Sequence, residues 1–123
     1  MALVSLTTTD GYDLKIGSET ILMVIEQGTE RKVFWDDRGF GPEVHEVTET
    51  LAYFLDADPN IGAGNLYQVT VEGEDVLLEA NKTIAVAAEG TGSKVFYADK
   101  GRGLSEFITD EDPATIEAAI DAL

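Results

Sequence analysis

The sequence predicts an α+β fold, mostly antiparallel β, built as two tandem pseudo-symmetric copies of one unit. Each unit reads as about five strands followed by a short C-terminal helix. Three observations carry this. The chain matches itself when slid by 62 residues. Short β-rich runs alternate with Gly-containing turns. A single capped, amphipathic segment closes the chain.

The self-match is clearest where GTERKVFWDDRGFG, from Gly28, lies over GTGSKVFYADKGRG, from Gly90. Gly28/Gly90, Thr29/Thr91, Lys32/Lys94, Val33/Val95, Phe34/Phe96, Asp37/Asp99, Gly39/Gly101 and Gly41/Gly103 are identical, and Trp35/Tyr97 and Arg38/Lys100 are close replacements. Upstream, Thr8, Gly11 and Asp13 fall on Thr70, Gly73 and Asp75. Downstream, a one-residue deletion brings Val47–Glu49 over Ile108–Asp110. Residues 1–123 therefore read as one compact domain of two repeats, 3–58 and 66–123, joined by a Gly- and Asn-containing loop at 59–65.

Taken in order, LVSLTT alternates as a half-buried strand, Asp10–Gly11 signals a tight turn, and YDLKI returns. LYQVTV, the turn around Gly73 and DVLLE repeat this hairpin. The continuous apolar runs ILMVI and TIAVAA read as strands buried on both faces. Gly28 and Gly90 end them, and KVFWD and KVFYA follow as strands of β-forming residues. A last strand is expected around Val44–Val47 and Glu106–Thr109. In the second copy Asp112 can cap a helix with Pro113 in its first turn, and Ile116, Ala119, Ile120 and Leu123 share one face. In the first copy Thr48 or Thr50 would cap a shorter helix carrying Leu51, Phe54 and Leu55. One unit alone has a marginal core, so the copies are expected to share one, either as fused sheets or as two small barrels.

Composition narrows function. There are 24 Asp and Glu against 8 Lys and Arg, a net charge of -16, with no Lys or Arg from Glu43 to Asn81 or from Ser105 onward. Such a surface repels phosphate backbones and anionic membranes, so neither nucleic acid nor membrane is expected as a partner. The acidity suits a solubilising coat for high salt, a docking face for a basic partner, or a DNA mimic. The absence of Cys excludes disulfides and thiolate chemistry. The N-terminus lacks a signal-peptide pattern, and no apolar run is long enough to span a membrane.

Candidate reactive residues each meet a plainer reading. Asp36–Asp37–Arg38 could pair carboxylates, but neighbours on a strand point to opposite faces. Only the acid–base–glycine turn recurs in the second copy, where Asp36 becomes Ala98. Asp56 to Asn60 fails the calcium-loop pattern, with Ile61 and Tyr67 where Gly and Glu are required. His45, the only histidine, is expected at a solvent edge. Ser18, Ser93 and Ser105 lie in no nucleophile elbow, and Gly62–Asn65 lacks a phosphate-loop lysine. No catalytic residue, metal site or cofactor is expected, and the chain reads as no enzyme. Trp35 and Tyr97 would mark two related protein-contact patches if exposed, with burial the default.

The pattern T-x-x-D-G, an apolar run, K-V-F-[WY]-x-D-[RK]-G, and a V-T-E or I-T-D strand end resembles small proteins of tailed, marine-type bacteriophages. The half-unit is also similar to short flagellar FlbD-type sequences. The phage resemblance implies a minor virion component, a capsid decoration or connector, with phage capsid or other virion proteins as partners. A homo-oligomer is allowed, and the location would be the virion or the host cytoplasm. The alternatives are an acidic DNA-mimic inhibitor of a basic host enzyme, or a small ligand-binding domain with its site between the repeats.

Overall fold

In a computed structural model of the chain, residues 3–36, 42–55, 65–99 and 103–123 are described. The predicted mostly antiparallel α+β class is the observed one. The strands are β1 (Leu3–Thr7), β2 (Asp13–Gly17), β3 (Ile21–Gln27), β4 (Glu30–Asp36) and β5 (Pro42–Val47), followed by helix α1 (Leu51–Phe54). The second half repeats the order with β6 (Leu66–Val71), β7 (Glu74–Glu79), β8 (Thr83–Glu89), β9 (Gly92–Asp99), β10 (Gly103–Thr109) and helix α2 (Pro113–Asp121).

Register ties the halves together residue by residue. β3 pairs with β4 from Ile21↔Trp35 to Gln27↔Glu30, with one irregularity between Ile21 and Met23. β8 pairs with β9 from Thr83↔Tyr97 to Glu89↔Gly92, with its irregularity between Thr83 and Ala85. Every partner is shifted by the 62 residues of the sequence match. Gly28 and Gly90 both have positive φ, 62° and 59°, in the intervening turns. That backbone region carries no steric penalty for glycine.

The length difference between the halves lies elsewhere than expected. Arg31↔Val47 and Ser93↔Thr109 are equivalent pairs, so Val47 matches Thr109 and no deletion follows β5. The first hairpin instead spends one extra residue in its turn: Thr7 pairs with Asp13, whereas Thr70 pairs with Asp75. Thr7, not Thr8, is thus the counterpart of Thr70. The Asp10–Gly11 signal sits in this wider turn, closed by Gly11 N–H to the Thr8 carbonyl at 3.0 Å.

The strands form neither a single fused sheet nor two barrels. The central sheet has the order β5-β4-β3-β7-β6, so the second repeat's hairpin is added to the first repeat's sheet. β1-β2 and β10-β9-β8 are separate sheets. Alternation along β3 and β7 directs Val24 and Leu77 to one face, where they pack with Val4, Leu6 and Ile16 of the small sheet and with Leu51 and Phe54 of α1. Met23, Ile25, Val76 and Leu78 point to the other face and pack with Val95, Tyr97 and Ile116. The result is three β layers around two cores. The helices repeat their role: Phe54 and Ile116, 62 residues apart, are both fully buried.

Helix α2 begins as predicted. Asp112 accepts a hydrogen bond from Thr115 N–H at 2.8 Å, with Pro113 in the first turn. Hydrogen bonding from the Thr115 side chain, and then from its backbone N–H, holds the Asp112 carboxyl below the usual carboxylate range. In α1 Thr50 occupies the cap position but makes no side-chain cap bond, and the helix is one turn.

Candidate functional site

The residues singled out in the sequence disperse. Asp36 ends β4, while Asp37, Arg38, the Asp56–Asn60 segment and Gly62–Gly64 lie outside the described residues. His45 lies on β5, the edge strand of the central sheet, as expected, and is half-buried there. It accepts a hydrogen bond from Trp35 Nε1 at Nδ1, 3.0 Å away, with the two rings stacked 5.9 Å apart. The equivalent pair in the second half is Tyr97 against Phe107, ring to edge at 5.7 Å. Register fixes Phe107 as the counterpart of His45, so this position serves packing in both halves. Ser93 is buried and donates to the Glu111 carbonyl at 2.7 Å, a structural bond. No group of three or more His, Asp or Glu that could hold a metal occurs among the described residues.

Trp35 is half-buried against the first core, and Tyr97 is buried in the second. Tyr97 has a structural task. Its hydroxyl donates to the Leu22 carbonyl and accepts from Glu79 N–H at 2.8 Å. β3 and β7 pair through Met23↔Leu78, so Leu22 and Glu79 are the next two residues of that ladder. The irregularity in β3 separates them, and the phenol fills the gap. An indole at this point could donate but not accept.

A second repeated device pins each hairpin to the strand end before its helix. Glu49 Oε1 accepts from Thr7 N–H at 2.8 Å, and Glu111 Oε1 accepts from Thr70 N–H at 2.7 Å. The backbone answers in both halves, with Thr48 N–H to the Thr7 carbonyl at 2.9 Å and Asp110 N–H to the Thr70 carbonyl at 3.0 Å. Nearby, Tyr53 donates to the Ser5 carbonyl at 2.6 Å, and its phenol is raised above the ordinary value by burial and then by the Glu49 charge. Tyr67 is raised by burial, against the opposing effect of its bond to the Thr83 hydroxyl.

The halves differ most at their strand edges. β3 is flanked by β4 and β7, whereas β8 pairs with β9 alone among the described residues. The expectation that TIAVAA is buried on both faces is therefore corrected. Leu22 is 4% exposed and its counterpart Ile84 61%; Leu66 is 3% exposed and its counterpart Leu3 53%. Between β8 and α2 runs a groove of about 290 Å³, bordered by Ala85, Val86, Glu117, Ile120 and Asp121.

This three-sheet arrangement matches a solved structure along its whole length. The chain superposes on the LytTr DNA-binding domain of a Bacillus cereus protein described as a methyl-accepting/DNA response regulator, with a TM-score of 0.60 over 97% of this chain and 96% of that one, at 10% identity. The fold is similar to that of a LytTr DNA-binding domain. No family model matches the sequence, and no curated protein matches it.

The LytTr likeness corrects the functional expectations. The resemblance to tailed-phage proteins is replaced by a whole-chain likeness to a DNA-binding domain, and with it go the virion component and the capsid partners. Neither the DNA-mimic inhibitor nor the ligand domain between the repeats is better supported. Where they are described, the residues that carried the phage resemblance form strands and hairpin turns, which recur in a β-rich fold whatever it binds. The exclusion of nucleic acid rested on net charge, which does not fix what one local surface binds, and it is withdrawn. No helix among the described residues is long and apolar enough to cross a membrane. Sequence reasoning missed Tyr97 as a junction residue and Glu49 and Glu111 as a matched pair. The 62-residue offset, carried past β5 without a gap, would have paired the two glutamates.

Proposed function

We propose that this chain is a non-enzymatic, DNA-binding regulatory domain of the LytTr type. The observation that supports it is the fold likeness across nearly the whole of both chains. A DNA-binding role places the chain in the cytoplasm.

The charge dictates how such binding must work. Of the eight cations, Arg31 and Lys94 already lie 3.2 and 3.8 Å from carboxylates of Glu26 and Glu106. Few phosphates can be neutralised, so affinity must come from groove and base-edge contacts with only a small counterion-release contribution. The eight cations together set an upper limit of about -7 on the slope of log K against log salt. Selection from a randomised duplex pool at moderate salt, followed by anisotropy titration across salt, tests this. The expected result is an enriched sequence bound with a slope shallower than that limit. No enrichment over a protein-free control overturns the reading.

A further inference from the structure

We infer that the chain assembles head to tail with itself, the β1-β2 hairpin of one copy adding to the free edge of β8 in the next. The inference goes beyond the DNA-binding reading and does not rest on it.

The interface is already present once inside each molecule. β7 lies on the edge of β3 through Met23↔Leu78, Val24↔Leu77 and Ile25↔Val76. Shifting both strands by one repeat turns these pairs into Ala85↔Ile16, Val86↔Lys15 and Ala87↔Leu14. Both counterpart edges are open among the described residues, because β8 pairs only with β9 and β2 only with β1. Leu22, on β3, and Leu66, in the hairpin that β3 receives, are buried, and their counterparts Ile84 and Leu3 are exposed. An unpaired, apolar edge is a template for another strand.

The two open edges cannot meet within one chain. The β1-β2 sheet packs on one face of the central sheet and β8-β9-β10 on the other. Joining β2 to β8 therefore requires a second copy. It would convert a two-stranded and a three-stranded sheet into another five-stranded sheet of the central kind. The contact uses different surfaces on the two partners, so it is heterologous and does not stop at two.

Lys15 gives the contact chemical specificity. It stands where Leu77 stands at the internal junction, on the face that packs against the helix. In the assembled pair it would enter the groove between β8 and α2, where Glu117 and Asp121 stand. Long-range repulsion between chains of net charge -16 opposes association, and salt screens it over about 8–10 Å at physiological strength. Assembly should therefore strengthen as salt rises.

Sedimentation equilibrium of the intact chain, from roughly 10 µM to 1 mM and at low and high salt, tests this. The expected mass rises with concentration past the dimer without a plateau, and more so at high salt. Lys15→Glu alone, and Glu117→Lys with Asp121→Lys, should each weaken assembly by roughly tenfold or more, because like charges then face each other. An equimolar mixture of the two variants should restore it. Amide exchange in the unaltered chain should show β8 amides gaining protection with concentration. A monomer throughout, a plateau at the dimer, assembly indifferent to Lys15→Glu, no rescue on mixing, or unchanged β8 exchange would each overturn the inference.

Discussion

Replacing Tyr97 with Phe removes one oxygen and tests what joins the repeats. The ring remains, with its edge contact to Phe107 at 5.7 Å, so little packing is lost. What goes is the bridge between the Leu22 carbonyl and Glu79 N–H, both buried. An unsatisfied buried backbone group costs about 1–3 kcal/mol. Two such groups, partly relieved by local adjustment, give about 2–4 kcal/mol. With a urea m-value of about 2 kcal/mol/M, the midpoint should fall by roughly 1–2 M. Trp35, the only tryptophan, reports unfolding of the first repeat by fluorescence. Far-UV circular dichroism reports both repeats.

Tyr67→Phe is the control. Tyr67 also has its phenol hydrogen-bonded, but to the Thr83 side-chain hydroxyl at 2.6 Å, a half-buried group that can rotate toward water. Its loss should cost about 0.5–1.5 kcal/mol. A Tyr97→Phe midpoint within about 0.3 M of the parent, or no larger than the Tyr67→Phe shift, would refute the view that the phenol completes the β3–β7 ladder.

Gly92→Ala should destabilise by about 1–3 kcal/mol in the same urea assay, because an added Cβ would stand 2.0 Å from the Thr109 carbonyl oxygen and the backbone must shift. Glu49→Ala and Glu111→Ala should each cost about 1.5–3 kcal/mol, and the Gln variants about half that, since Gln keeps an acceptor for the Thr7 or Thr70 N–H. Equal effects of Ala and Gln in thermal melts would show that the carboxylate is not the acceptor that matters. Asp112 has a folded pKa below its ordinary value of 3.8, so its contribution is present above that value and lost as pH falls through the folded one. Asp112→Asn should remove that part of the acid dependence of α2 amide exchange while keeping the cap.

How much of this could be read in advance follows from where each signal resides. Strand identity resides in local runs, and ILMVI, KVFWD and KVFYA form strands as their β-branched and aromatic residues require. The α2 cap is equally local. Sheet membership is not, because the pairing of β3 with β7 across the repeats is a tertiary choice that no short run encodes. TIAVAA did carry a hint: Thr83, Ala85 and Ala87 replace Ile21, Met23 and Ile25. Smaller side chains are what an edge with less to bury requires. Tyr97 differs from Trp35 in its acceptor oxygen, which has meaning only once the irregularity in β3 places Leu22 and Glu79 beside it. The functional expectation failed for a related reason. Turn glycines and an acid-rich surface describe how a β fold stays folded and dissolved, and they do not identify its ligand.

The acidity and the open edge of β8 bear on each other. A flat, apolar edge strand is normally blunted by an inward charge, a proline or a bulge. β8 has its irregularity only near Thr83, and from Ala85 to Ala88 it carries no charge. Its protection lies in the rest of the molecule. The carboxylates Glu117 and Asp121 flank the groove beside it, and the net charge of -16 keeps copies apart at low ionic strength. A local guard would forbid pairing under all conditions, whereas a charge spread over the surface forbids it only while unscreened. That charge would make strand addition at β8 conditional on salt and on a partner that brings a cation. Lys15, placed on the matching edge, is such a cation, and Leu77 at the equivalent internal position needs none because that junction forms within one chain.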